Sequence, residues 1–320
     1  MRQRLAQINS MRQAVRTPLA HAGLTEVVTP ISTLMPGGEI HLDALPVQFR
    51  SIDGTQRVLY LRTSPEVWHK KLLAQGSGPI FELAPCVRDG EGGKWHDLEF
   101  EMVEWYRPNG TFDDLISDVE NLLECTYALN KRERPATTRT TVQKLFERYV
   151  GCSLDPSLPL THFKRELSQC GITCADDDTW DDAFFRAWIS RVEPALTNQG
   201  TVIIERYPAS QAAMAKLCPD DPRFCARFEV YVEGVELANA FDELTDGREQ
   251  RRRFEQWQSE RQCLGKRSFP KDETFFDAVD HLPPTVSIAL GLDRLMALAL
   301  GSKSLAAVRP FKLDDLLETR

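Results

Sequence analysis

Apolar residues recur at steps of three and four near the start of the chain, at Leu5, Ile8, Met11, Val15 and Leu19, which predicts an amphipathic helix over residues 1–22 with Gly23 as its stop. The apolar runs then shorten to strand length. "LTEVVTPI" at 24–31 reads as a strand closed by Pro30, and "QRVLYLR" at 56–62 as another. "SPEVWHKKLLAQG" reads as a helix capped by Ser64, with Pro65 at its first position and Gly76 at its end. Two further runs, Phe81 to Val87 and Phe100 to Tyr106, flank a loop containing Gly90, Gly92 and Gly93, and predict a hairpin. A helix capped by Thr111 follows in "TFDDLISDVENLLECTYALN". From about 139 to 199 the pattern breaks into short, Asp-rich helical pieces, read as a small helical insertion. Strands resume in "TVIIERYP", "RFEVYVEGVELANAFDEL" and "TVSIALGL", the last running straight into the helix "DRLMALAL". Strands mostly in hairpin order, with helices in separate blocks, predict an α+β fold with an antiparallel sheet flanked by helices.

Composition narrows the function classes. The 320 residues are 42% hydrophobic, enough for a sizeable core, and carry a net charge of −8, which argues against a dominant nucleic-acid surface. The basic stretches "KRER" and "REQRRRFEQ" are short or interleaved with acids and amides, and read as solvated helix faces. The eight cysteines are scattered without a CxxC pair, and Cys170 and Cys174 have few candidate metal ligands nearby. The N-terminus is polar, and no apolar run reaches the roughly 18 residues that span a bilayer. The expectation is a reduced, cytoplasmic protein without a membrane segment.

Three stretches carry candidate chemistry. Arg88 closes a strand beside a glycine loop, where a guanidinium can hold a phosphate or carboxylate through two hydrogen bonds. On the return strand Phe100, Met102, Glu104 and Tyr106 share one face, so a ring suited to stacking, a carboxylate and a phenol line up. Ordinary solvent-facing carboxylates would give the same pattern. Glu229 and Glu236 fall on adjacent strands if Glu233-Gly234 is a turn, and paired carboxylates on a sheet suit Mg²⁺ held with substrate phosphates. Asn239, Phe241 and Glu243 alternate along the second of these strands. Finally, Arg294 lies in the first turn of an apolar helix, where it needs an anion or a π face, or else pairs with Asp293 or another surface acid.

"TSPE…KKLL", "EFEMVEWYRP", "PASQA", "RFEVYVEGVELANAFDELTDGREQRRRFEQ" and "ALGLDRLMALALG" together resemble the signature motifs of class II aminoacyl-tRNA synthetases of the lysyl branch. The chain is most similar to the elongation factor P–(R)-β-lysine ligase family, paralogues of lysyl-tRNA synthetase that lack the anticodon-binding domain. The likeness spans residues 1–320 and implies one catalytic domain beginning at motif 1, the dimerisation element that ends at Pro30, hence a homodimer. It implies that Arg88 holds the ATP α-phosphate and the substrate carboxylate, that Phe100 and Arg294 sandwich the adenine, and that His96 approaches the β- and γ-phosphates. Glu229 and Glu236 would bind Mg²⁺. Glu66 would accept the amino group near the carboxylate, Glu104, Tyr106 and Glu243 the distal ammonium, and Asn239 the carboxylate, with Phe241 in the pocket wall. Ser64 and the "Ala289-Leu290-Gly291" stretch stand where tRNA synthetases read "APE" and "GIG", and agree with the β-lysine ligases. The chain reads "Val87-Arg88-Asp89-Gly90" for the family's "FRNE", with Glu91 as the candidate for the displaced glutamate, "His96-Asp97-Leu98-Glu99-Phe100" for "HNPEF", and Val28 for the glutamate of "VETP". The implied activity is activation of (R)-β-lysine, or lysine, by ATP and transfer to a lysine of elongation factor P, without stable tRNA binding. A lysine ligase with another acceptor and a catalytically weak regulatory paralogue are the alternatives.

Overall fold

The structure is a computed structural model that describes residues 1–37, 39–313 and 315. The chain divides into two compact bodies, Met1–Arg134 with Glu243–Arg320, and Pro135–Asp242. Its strands are β1 Thr25–Glu26, β2 Ser32–Thr33, β3 Pro46–Arg50, β4 Gln56–Leu61, β5 Ile80–Val87, β6 Glu99–Pro108, β7 Thr137–Thr141, β8 Thr201–Pro208, β9 Phe224–Val232, β10 Val235–Asp242 and β11 Thr285–Gly291.

In the first body the strand order is β1-β5-β6-β11, with β2-β4-β3 as a separate small sheet. The expected hairpin is β5–β6, in register from Ile80 opposite Tyr106 to Val87 opposite Glu99. β11 runs antiparallel along the other edge of β6, with Ala289 opposite Glu104 and Ser287 opposite Tyr106. β6 is therefore held on both sides, and its alternation sorts its side chains cleanly. Trp105 and Arg107 turn to the helix Phe112–Leu129, where both donate to Asp118 (2.9 Å from Trp105 Nε1, 2.7 Å from Arg107 Nε). Glu101 pairs with Arg12 of the helix Arg2–His21. Those two helices pack on each other; Met11, Val15 and Leu19 are buried on the first and Leu115, Val119 and Leu122 on the second, each set at helical spacing. Thr111 makes the reciprocal cap with Asp114 at the start of the second helix.

One expectation needs correction here. The strand at 24–31 shrinks to Thr25–Glu26, and Val28 is 92% exposed. The chain leaves the sheet because Thr29 and Pro30 serve a charged network: Thr29 Oγ1 donates to Glu82 at 2.6 Å, and the carbonyls of both residues accept from Arg62. The sheet pairing is mainly antiparallel as expected, with parallel pairing where β1 meets β5 and β7 meets β8.

In the second body the order is β10-β9-β8-β7. Glu233 and Gly234 have φ of 51° and 81°, the left-handed pair that a two-residue hairpin turn requires, so the expected turn is present. The Asp-rich helical pieces pack among themselves and against β8 and β9. Phe146 stacks on Phe184 (5.1 Å between ring centroids) and Phe163 on Trp180 (4.7 Å), while Trp188 meets Tyr207 and Tyr231. Of the aspartates, Asp182 caps a helix with Thr179 and Asp178 pairs with Arg186. No helix among the described residues is long and apolar enough to cross a membrane.

Candidate active site

Helix Glu66–Ala74 begins where Ser64 Oγ accepts the Glu66 N–H at 3.4 Å, so Ser64 acts from just before the helix. Glu66, His69 and Lys70 follow at i, i+3 and i+4 and therefore lie on one face. On that face His69 and Lys70 are fully buried and Glu66 half-buried, although a buried helix face is normally apolar. Lys70 Nζ sits between Glu66 Oε1 at 2.7 Å and Glu243 Oε2 at 2.8 Å. The second oxygen of Glu243 accepts from Ser287 on β11, so both of its oxygens have partners inside the protein. His69 reaches Glu82 on β5 with Nε2 (2.9 Å) and Glu104 on β6 with Nδ1 (3.3 Å). Glu82 also takes Arg62 at 2.9 Å, and Tyr106 Oη donates to Glu104 Oε1 at 2.7 Å. Four carboxylates and three basic side chains thus alternate in one buried cluster.

Protonation follows from that packing. Burial raises the Glu66 carboxyl, Lys70 opposes the rise, and Glu243 and Glu104 add to it, leaving the group at about 7. Burial also raises Glu243, against the pull of Lys70. For Glu82 burial is outweighed by hydrogen bonds from His69, Thr29 and Arg62, which hold it at about 2. Burial and the neighbouring Glu104 push the Tyr106 phenol well up, so it stays a donor.

Beside this cluster Ala84, Cys86 and Met102 form an apolar floor on which Phe100 and Ala289 pack. Arg88 lies over the Phe100 ring, 4.8 Å from its centroid, with Glu91 3.6 Å from its Nη1. Glu91 therefore does reach the arginine. Arg294 Nη2 lies 2.6 Å from His96 Nε2, and its Nε donates to the Trp95 carbonyl at 3.2 Å. Asp293 instead takes Arg309 at 2.9 Å and the Glu101 N–H at 2.9 Å. The Arg294–Asp293 surface pair is thus not what the structure builds. A Cβ on Gly291 would lie 3.3 Å from Arg294 Cδ, so the glycine makes room for that side chain.

In the second body Glu229 is buried and Glu236 exposed. Asn239 stands opposite Glu229 and Glu236 opposite Tyr231, with a bulge between Glu236 and Ala238 that puts both carboxylates on one face. Glu229 accepts from Tyr207 Oη at 2.6 Å and from Arg227. Arg227 also donates to Asn239 Oδ1 at 2.9 Å and lies 5.9 Å from the Phe241 ring centre. Burial raises the Glu229 carboxyl to about 7, with Arg227 opposing and Glu236 adding to the rise. Two such carboxylates form a hard-oxygen donor set that a divalent cation would relieve of repulsion, so these residues fit Mg²⁺.

A family model described as tRNA synthetases class II (D, K and N) matches residues 1–314. Proteins named elongation factor P–(R)-β-lysine ligase match along nearly the whole chain. That of Histophilus somni (strain 2336) is 36% identical over 303 residues, 94% of this chain and 92% of that protein. That of Salmonella dublin is 38% identical over 308 residues, again 94% and 92%, and that of Hamiltonella defensa 36% over 309 residues, 95% and 93%. The chain belongs to this class II ligase family. It is an ATP-dependent amino-acid ligase.

In this family member the sequence reading missed Arg62, His69, Lys70 and Glu82 of the buried cluster. It also missed Arg227 and Tyr207, the partners of Glu229 in the second body. A signal existed: Glu66, His69/Lys70 and Leu73 occupy the positions of an apolar stripe, so charged residues there imply partners on the facing strands. Arg227 and Tyr207 had no comparable signal, because strand register and a bulge decide what they face.

Proposed function

We propose that the chain activates (R)-β-lysine with ATP and transfers the acyl group to a lysine ε-amine of elongation factor P, as the names of its relatives suggest. The observation that carries this reading is the buried carboxylate cluster around Glu66 and Glu104, which suits an amino acid with two ammonium groups. Glu66 takes the amine nearer the carboxylate, and Glu104 with Tyr106 takes the distal one. Glu243 steadies this end through Lys70. Ser64 and Ala289 shape the floor.

In the activation step a substrate carboxylate oxygen attacks the α-phosphorus of ATP, and pyrophosphate leaves. Arg88 orients both reacting groups and offsets the charge that builds on the phosphorus oxygens. Phe100 and Arg294 hold the adenine, and His96 lies toward the β- and γ-phosphates. Glu229 and Glu236 would hold Mg²⁺, which supplies charge neutralisation for the phosphates; Asn239 and Phe241 complete their face. No covalent enzyme nucleophile is needed. In transfer, the acceptor amine attacks the adenylate carbonyl and AMP leaves.

We further infer a cytoplasmic homodimer paired through the N-terminal helix and the segment to Pro30, one catalytic domain with residues 139–199 as an insertion, and negligible tRNA charging given the net charge of −8. Pyrophosphate exchange with β-lysine, lysine and no amino acid tests activation, and the mass of elongation factor P after incubation tests transfer. Exchange with neither amino acid would refute the reading. Sedimentation as a monomer at micromolar concentration would refute the dimer.

A further inference from the structure

His69 has no part in the chemistry above, and its surroundings are unusual. It is fully buried, and both of its ring nitrogens face carboxylates: Nε2 faces Glu82 Oε2 at 2.9 Å and Nδ1 faces Glu104 Oε1 at 3.3 Å. A neutral imidazole has one N–H and one lone pair, so one nitrogen would aim its lone pair at an acceptor. Only the doubly protonated ring donates to both sides. The proton does not belong to Glu82, which Arg62 and Thr29 also hold and which lies at about 2.

We propose that His69 is a specificity-determining positioning residue, an imidazolium clamped between Glu82 and Glu104 that holds Glu104 aimed at a primary ammonium on the substrate side chain. This rests on the amine-binding reading of the pocket and adds the residue that orients its carboxylate. The groups facing His69 are Glu82 from β5, Glu104 and Tyr106 from β6, and Glu66 and Lys70 from its own helix. Arg62 acts through Glu82, and Glu243 through Lys70. Glu66, Glu82, Glu104 and Glu243 stand against Arg62, Lys70 and His69. With a neutral residue in place of His69, Glu104 keeps the Tyr106 hydroxyl but loses its cationic partner. Both of its contacts within the cluster fall on Oε1, which leaves Oε2 as the oxygen for an incoming ligand. Burial lowers the His69 pKa, but its hydrogen bonds to Glu104 and Glu82 outweigh that and raise it.

Two measurements on the full-length protein test this. Nitrogen and carbon NMR shifts of the His69 ring, assigned by their loss in His69→Gln, should be those of an imidazolium at pH 7.5. A neutral ring would overturn the proposal whether or not any variant folds. Pyrophosphate exchange with lysine and β-lysine at pH 7.5 should show an amino-acid KM that rises about tenfold or more in His69→Gln, the worth of one charge-assisted bond. The loss should fall on the amino-acid KM more than on kcat, and the KM for ATP should hold. A KM that is unchanged, or a loss that falls mainly on kcat, would also overturn it. Wild-type protein without amino-acid-dependent exchange would refute the functional reading instead, and the NMR measurement would still decide the charge of His69.

Discussion

The amine cluster of the first body and the carboxylate pair of the second are both built from acids gathered around sheet strands, but they balance charge differently. Around Glu66 and Glu104 the cations are internal, supplied by Arg62, His69 and Lys70. At Glu229 and Glu236 one arginine, Arg227, is shared with Asn239, and burial, with the exposed Glu236 adding to it, raises the Glu229 carboxyl. The first arrangement is set before any ligand arrives and can read the position of an ammonium. The second shows one of its two acids to solvent and suits a mobile dication that comes with the nucleotide. An acid cluster thus selects its ligand by where the fold places the cations that balance it.

The contrast can be broken most severely at Lys70. Lys70→Met leaves Glu66 and Glu243 buried without their shared cation, and should cost about 3–5 kcal/mol of unfolding free energy in urea titrations. A loss below about 1 kcal/mol would mean that the two acids cancel elsewhere. Arg88→Ala probes the nucleotide end of the same body. Its few contacts are the Phe100 ring, the Thr63 carbonyl at 3.4 Å and Glu91, so stability should hardly change. Activation should fall roughly a hundredfold or more, about 3 kcal/mol of transition-state stabilisation. Retention of activity within about threefold in pyrophosphate exchange would place the phosphate contact elsewhere.

Ala289→Gly sharpens the reading of position. Ala289 stands opposite Glu104 and borders the apolar floor, so its methyl limits where an amine can sit. The kcat/KM ratio of lysine over β-lysine should rise about ten- to two-hundredfold, the worth of one methyl in a pocket. A constant ratio would leave Ser64 as the remaining candidate. The smallest effect concerns Glu229. Its folded carboxyl lies at about 7, above the unfolded value, so the stability it contributes is full below the unfolded pKa and is lost as pH rises through 7. Mg²⁺ competes with that proton. The rise in Tm on adding Mg²⁺ with ATP should therefore be larger at pH 8 than at pH 6, and Glu229→Gln should flatten the difference. An equal rise at both pH values in the wild type would detach the metal from Glu229.

Much of this architecture was legible beforehand because local rules dominate it. The period-two face of β6, the Thr111 cap and the Glu233-Gly234 turn each depend on a few neighbouring residues. The strand expected to end at Pro30 failed because its tail answers to Arg62 and Glu82, far away in sequence. Glu66, Glu104 and Tyr106 could be named because motifs carry them, whereas His69 and Arg227 acquire meaning only from what the facing strand presents. Buried charge is a property of pairs, and pairs distant in sequence leave no periodic trace.

Cys86 offers one more use. Its thiol is buried in the hairpin that carries Arg88 and Phe100, and burial pushes it up to about 12, whereas Cys263 is exposed. An alkylating reagent should therefore modify Cys263 at once and reach Cys86 only when β5 and β6 part. Labelling of Cys86, followed by peptide mass apart from the likewise buried Cys218 and Cys225, becomes a clock for the opening of that hairpin, and its slowing on adding nucleotide would measure occupancy without any turnover.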